Sequence, residues 1–172
     1  MPNDRRPLRL LTVCTGNAAR SVIAGALLAE ALPCARVVTA GTHVVEGQPM
    51  SVRTRRAMEH VGLVVPDHRS HQLTEADVAG ADVVVAMAAE HVQYLRHRHP
   101  AAAGRTATVW WLARQLPGGP APLVERLRCM DLAAVEPERQ GDVADPAGAE
   151  DAAYIACARA LVEAVRALVA RL

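Results

Sequence analysis

Apolar and polar positions along the chain switch repeatedly between a strand-like run and a helix-like spacing. Leu8–Val13 is a short, mostly apolar run ending in a glycine-containing loop, the pattern of a buried parallel strand. Ser21 then stands as the expected N-cap of a helix over Val22–Leu32, a segment rich in Ala and Leu. Arg36–Ala40 reads as a second strand closed by Gly41, and Ser51–Val61 keeps helical spacing up to a stop at Gly62. Thr74-Glu75-Ala76-Asp77 predicts a short capped helix ending near Gly80. Asp82–Met87 is the clearest buried strand, Glu90–His97 a helix stopped by Pro100, and Thr106–Trp111 a fourth strand. Asp151–Leu172 is a long amphipathic helix with Tyr154, Cys157, Leu161, Val165 and Leu168 on one stripe.

Strands separated by helices require crossover connections, so the pattern predicts an α/β fold of three layers, a four-stranded parallel sheet flanked by helices. In such sheets ligands sit beyond the carboxyl ends of the strands. The loop that starts at Cys14 leaves that end of the first strand. Pro117–Pro122 is a turn or loop, and Leu123–Leu132 can form a further helix. At 172 residues, the expectation is one domain spanning 1–172.

Composition narrows the classes without naming a function. The net charge of +1 gives no case for a nucleic-acid partner or an anionic membrane surface, and Arg5-Arg6, Arg53–Arg56 and Arg96–His99 read as solvated faces. No stretch approaches the roughly 18 apolar residues of a membrane span. Cys14, Cys34, Cys129 and Cys157 are too scattered for a disulfide framework. Together these features predict a reduced, cytoplasmic domain. His68-x-x-His71 and His97-x-His99 lack the extra ligands of a closed metal site, so neither metal nor cofactor is expected. Phe is absent, which leaves the core to Ala, Val and Leu.

The loop Cys14-Thr15-Gly16-Asn17-Ala18-Ala19-Arg20-Ser21 carries the chemistry. It is short enough for its backbone N–H groups to converge on one point as an anion-binding concavity. It runs into a helix N-terminus, whose free N–H groups and dipole favour the same anion. Arg20 adds a planar cationic fork for two phosphate oxygens. Cys14 sits in that positive field, which favours its thiolate as a nucleophile. Gly16 and Asn17 suit unusual backbone angles, and Ser21 can donate a hydrogen bond toward the sulfur. Cys34, Cys129 and Cys157 have no such setting and read as small buried hydrophobes.

These residues resemble the low-molecular-weight protein-tyrosine phosphatase family, whose loop runs Cys-x-Gly-Asn-x-x-Arg-Ser near the N-terminus. The resemblance extends through Thr39-Ala40-Gly41-Thr42, His68–Thr74, Asp82–Met87 and Asp145-Pro146. It implies phosphotyrosine-protein phosphatase activity on a tyrosine-phosphorylated protein or a small aryl phosphate. Cys14 would attack phosphorus while Arg20 and the loop (Thr15, Gly16, Asn17, Ala18, Ala19, Ser21) hold the oxygens. Asp145 would protonate the leaving group, then activate water to hydrolyse the cysteinyl-phosphate. Asp142 is the nearest competing acid. Three positions depart from the family. Ala19 replaces a frequent second cysteine, Ala147-Gly148 replaces aromatic residues after Asp-Pro, and His43-Val44-Val45 replaces a bulky wall. Trp110 or Trp111 could supply part of that wall, with at least one of them in the core. The segment from Gln115 to Asp142 is a candidate lid. The alternatives are a thiol-dependent arsenate reductase, which needs two further cysteines although none lies between Cys34 and Cys129, and a phosphate-binding module without turnover.

Overall fold

The computed structural model describes residues 6–138 and 141–172. Arg5 of the first basic pair, and residues 139–140 of the expected lid, lie outside the described residues. Four parallel strands, β1 (Arg9–Cys14), β2 (Arg36–Gly41), β3 (Val83–Ala86) and β4 (Thr106–Thr108), form one sheet in the order β2-β1-β3-β4. Side chains alternate across the pleat. Leu10, Cys14, Val83 and Val85 therefore face one core, packed with residues from α1 (Arg20–Ala31), α5 (Val109–Gln115) and α7 (Asp151–Val169). Leu11, Val13 and Val84 face a second core with Val78 of α3 (Glu75–Gly80), Leu95 of α4 (Ala89–Arg98) and Ala102 of a 3-10 turn. The result is the three-layer arrangement, and its largest fully buried side chains are Leu, Ile and Met. The α7 stripe from Tyr154 to Leu168 is buried as the spacing predicts.

Strand order reverses between β1 and β3, so the crevice at their carboxyl ends is a topological switch point. The Cys14 loop leaves β1 at that crevice, and α4 starts beside it from β3.

Several element boundaries differ from expectation. Helix α1 starts at Arg20 from Ala19, with no side-chain cap, so Ser21 is not the N-cap but lies in the first turn. β4 stops at Thr108 rather than Trp111, because the Thr108 side chain accepts from the Trp111 N–H and caps α5. Elsewhere the capping signals hold. Ser51 caps α2 (Val52–His60), and Thr74 and Asp77 form a reciprocal capping box on α3. Helix α6 (Leu123–Arg128) is shorter than expected. Buried Arg126 on it donates to the carbonyls of Ala121, Pro117 and Leu172 at 2.8–2.9 Å. Arg96 of α4 similarly holds the Leu132 carbonyl at 2.6 Å. The bonds to Ala121 and Pro117 brace the 115–138 stretch internally, and those to Leu172 and from Arg96 join it to the chain's last residue and to α4. Its Leu116, Leu123, Leu127 and Leu132 are buried, so the stretch is packed against the domain in this structure. Among the described residues, no helix is long and apolar enough to cross a membrane.

His71 does not pair with His68. Its ring lies 2.8 Å from Asp77 and 3.3 Å from Glu46. Burial opposes its charge, but the two carboxylates outweigh this and raise its pKa above the ordinary 6.5. A raised folded-state value contributes stability that is complete below the unfolded value and is lost as pH climbs through the folded one. Thermal melts from about pH 6 to about pH 9 should therefore show a falling midpoint, and His71→Gln should flatten that slope.

Candidate active site

The site is assembled around one left-handed residue. Asn17 has φ 48° and is fully buried, a conformation that Asn tolerates better than most residues. Its Nδ2 donates to Ser21 Oγ at 2.9 Å and Thr39 Oγ1 at 3.0 Å, and its Oδ1 accepts from the His71 N–H at 2.8 Å. Its carbonyl accepts from His68 Nε2 at 2.7 Å and Ser70 Oγ at 3.0 Å. The neighbouring Ala18 carbonyl accepts from Thr54 of α2 at 2.9 Å. With these carbonyls tied down outside, the N–H groups are left to point inward. Among the described residues, none of the backbone N–H groups of Thr15–Ala19 donates to a protein acceptor. The uncapped start of α1 adds its own first-turn N–H groups and dipole to the same concavity. Gly41 lets the loop pack down, since a Cβ there would lie 2.5 Å from the Thr15 carbonyl and 2.9 Å from the Asn17 nitrogen.

Cys14 lies beneath this loop, 3% exposed, with Sγ 3.0 Å from Ser21 Oγ. Asn17 Nδ2 donates into that same Ser21 oxygen, which ties the hydroxyl beside the sulfur to the loop. Arg20 is 4% exposed, and its guanidinium faces the mouth of the loop. Nη2 donates to Asp145 Oδ2 at 2.6 Å and more distantly to Thr15 Oγ1 at 3.4 Å, while Nη1 reaches the Val143 carbonyl at 3.4 Å.

Asp145 reaches Arg20 because its segment is anchored on both sides. The Val143 N–H donates to the Met87 carbonyl at 2.8 Å, and Asp142 accepts from the Ala89 N–H at 2.7 Å at the start of α4. That bond commits Asp142 to helix capping. Gly141 fits against Thr108, where a Cβ would meet Oγ1 at 2.7 Å. Downstream, Asp151 at the start of α7 pairs with Arg53 and Arg56 of α2, each at 3.1 Å. Cys14, Thr15, Gly16, Asn17, Ala18, Ala19, Arg20, Ser21 and Asp145 thus meet at one crevice.

The surroundings differ from the sequence expectation in several places. A cavity of about 340 Å³ opens beside Arg20 and Asp145, lined also by Glu90, Gln93, Pro137 and Asp142, with no aromatic side chain among its described lining. Trp110 stacks under Arg114, and Trp111 lines a separate slot with Leu132 and Pro137, so neither tryptophan forms a wall here. His43 donates its N–H to the Thr15 carbonyl, and its ring meets Tyr94 edge-on at 5.7 Å. Cys34 and Cys129 are exposed rather than buried and do not line the cavity. Cys157 is buried, and burial pushes its pKa up to about 12, which keeps it an inert thiol. The sequence reading also gave no role to His91. It is buried on α4, 2.9 Å from Thr15 Oγ1.

This fold and this loop define a class, that of phosphatases with an N-terminal cysteine loop. The model of the low molecular weight phosphotyrosine protein phosphatase family matches residues 9–114, and the chain belongs to that family. It is 38% identical over 95 residues to a Ralstonia nicotianae protein named as a probable low molecular weight protein-tyrosine-phosphatase, EpsP, covering 55% of this chain and 66% of that relative. The match thus spans just under two-thirds of that relative's length. A Geobacillus stearothermophilus protein-arginine-phosphatase is 38% identical over 104 residues, covering 60% of this chain and 70% of the relative. The structure of the YwlE arginine phosphatase from Geobacillus stearothermophilus superposes with a TM-score of 0.76 at 30% identity, covering 95% of this chain and 91% of that one.

The close approach at Gly41 makes a prediction. Gly41→Ala should cost about 1–3 kcal/mol of stability by overpacking and should weaken inorganic phosphate binding by displacing the Thr15–Asn17 backbone, measurable by denaturant unfolding and calorimetry.

Proposed function

We propose that the protein is a phosphotyrosine-protein phosphatase that works in two steps through a cysteinyl-phosphate on Cys14. The observation that carries this reading is the set of loop N–H groups, between Cys14 and Arg20, that have no protein acceptor among the described residues. A phosphate dianion is the ligand that satisfies all of them together.

Arg20 Nη2 pairs with Asp145 across 2.6 Å. Arg20 is buried but Asp145 is 47% exposed, so solvent screens the pair from the carboxylate side. A phosphate instead accepts several charge-assisted hydrogen bonds, each contributing roughly 1.5–3 kcal/mol. Phosphate therefore takes the guanidinium and frees Asp145 at the mouth of the site. Once released from Arg20, Asp145 takes up a proton from solvent; the Cys14 thiolate then attacks phosphorus in line, the S–P bond forms, the bond to the leaving oxygen breaks, and the Asp145 carboxyl gives that oxygen its proton. The Arg20 fork and the loop N–H groups hold the equatorial oxygens as charge redistributes. Asp145, now a carboxylate, takes a proton from water as water attacks phosphorus. Inorganic phosphate and the Cys14 thiolate are regenerated.

A second reading, hydrolysis of phosphoarginine, is favoured by the cavity lining. Glu90, Asp142 and Asp145 present carboxylates where an aryl group would need an apolar wall. A guanidinium leaving group matches that lining, and the Geobacillus stearothermophilus relative carries the name protein-arginine-phosphatase. The same Cys14 and Asp145 chemistry would then break a P–N bond.

Hydrolysis of para-nitrophenyl phosphate, phosphotyrosine peptides and phosphoarginine peptides tests both readings. Cys14→Ser should abolish turnover on every substrate, and Asp145→Asn should lower kcat by about 10²–10⁴-fold. Normal turnover by Cys14→Ser would sink the mechanism. A kcat/KM ratio favouring phosphoarginine peptides, reduced in Glu90→Gln, would select the second reading.

A further inference from the structure

His91 is the buried titratable group that the reaction above leaves without a role. It sits in the first turn of α4, 1% exposed, at the switch-point end of β3. Its Nε2 lies 2.9 Å from Thr15 Oγ1, and that oxygen lies 3.4 Å from Arg20 Nη2. Arg20 has only donors, so Thr15 Oγ1 accepts from it. The same hydroxyl shares a 2.9 Å hydrogen bond with His91 Nε2, whose direction follows the ring tautomer. Glu90 Oε1 lies farther off, 3.5 Å from Thr15 Oγ1 and 3.4 Å from His91 Nε2.

A neutral ring is what its surroundings enforce. Burial, and then the Arg20 charge, push the His91 pKa down to about 4, with Asp145 opposing more weakly. Nδ1 is buried and has no hydrogen-bond partner among the described residues. A buried polar atom without a partner costs stability, and an aliphatic side chain at this position would avoid that cost. The partnered nitrogen is Nε2, whose bond to Thr15 Oγ1 is the hydrogen bond the ring makes.

We propose that His91 and Thr15 form a positioning relay, in which neutral His91 orients the Thr15 hydroxyl so that its oxygen holds the Arg20 guanidinium in the phosphate-gripping plane. Arg20 Nη2 lies 2.6 Å from Asp145 Oδ2 and 3.4 Å from Thr15 Oγ1. When phosphate displaces Asp145, Thr15 becomes the fixed partner that keeps the fork from rotating. The relay acts through Arg20 and touches no reacting atom. The inference rests on Arg20 binding phosphate.

The test combines calorimetric titration with inorganic phosphate, steady-state kinetics on para-nitrophenyl phosphate, and thermal melts for Thr15→Val, His91→Leu, His91→Asn and the Thr15→Val/His91→Leu double variant. Thr15→Val and His91→Leu should each weaken phosphate binding and lower kcat/KM by roughly 10- to 30-fold, the size expected for one hydrogen bond to a charged group. The double variant should be no worse than the poorer single one, because both changes break the same chain. His91→Asn, whose amide oxygen can accept, should recover activity to within about 3-fold of the parent while keeping the same pH profile. Additive losses, unchanged phosphate affinity in folded Thr15→Val, or a lost limb of the pH profile in His91→Asn would each overturn the relay. Thr15→Val keeps the question open to measurement if His91→Leu melts out. If the parent binds phosphate but turns nothing over, the phosphatase reading fails while the phosphate titrations still decide the relay.

Discussion

A loop that closes on an anion must turn its N–H groups inward, and it holds that shape only if something outside secures its carbonyls. Asn17 is where this is done. Its left-handed backbone costs an L-residue roughly 1–2 kcal/mol, but five hydrogen bonds converge on its side chain and carbonyl. At about 1 kcal/mol net apiece, they outweigh the strain several-fold. They also tie the loop to three separate parts of the chain: Ser21 at the start of α1, Thr39 in β2, and the His68–His71 stretch. The Cys14 thiolate, the inward N–H groups and the Arg20 fork all depend on that closure.

The central layers were legible because they rest on continuous apolar runs or helical spacing and on turn residues. Both signals survive without tertiary information in β1, β3 and the α7 stripe. The boundary of α1 was misread for an instructive reason. A helix whose first-turn N–H groups serve an external anion gains nothing from a side chain that would occupy them, so Ala19 stands at the N-cap. Ser21 follows the usual capping pattern, yet its hydroxyl faces Cys14. At β4 the β-prone run Val109-Trp110-Trp111 concealed a cap. Thr108 accepts from the Trp111 N–H and converts the run into a helix. Cys14, Arg20 and their loop could be read from spacing alone. Asp145 was reached only through the family pattern, and His91 gave no local sign, because a histidine on a polar helix looks exposed until the sheet packs beside it.

Asp145 is 125 residues from Arg20, and nothing in its own segment would hold it there. Its placement is borrowed from the sheet. Val143 hangs from the end of β3, Asp142 caps α4, and Asp151 pairs with two arginines of α2. Asp145 is therefore placed by the end of β3, by α4 and by α2, whereas the loop is tied to α1, β2, α2 and the 68–71 stretch, so the two sets of anchors share only α2.

That separation bears on substrate choice. The cradle recognises only the phosphoryl group, and its donors are fixed by Asn17 whatever lies outside. What lies outside is set by α4, Pro137 and Asp142–Asp145, which supply the carboxylates of Glu90, Asp142 and Asp145 and the amide of Gln93, with no ring in the described lining. An aromatic wall would add about 0.5–1.5 kcal/mol for each ring pair, whereas a carboxylate beside a cationic leaving group would add a charge-assisted hydrogen bond of comparable or larger size. Under the proposed function, the choice between the two phosphorylated residues would therefore fall to Glu90, Gln93 and their neighbours rather than to Cys14.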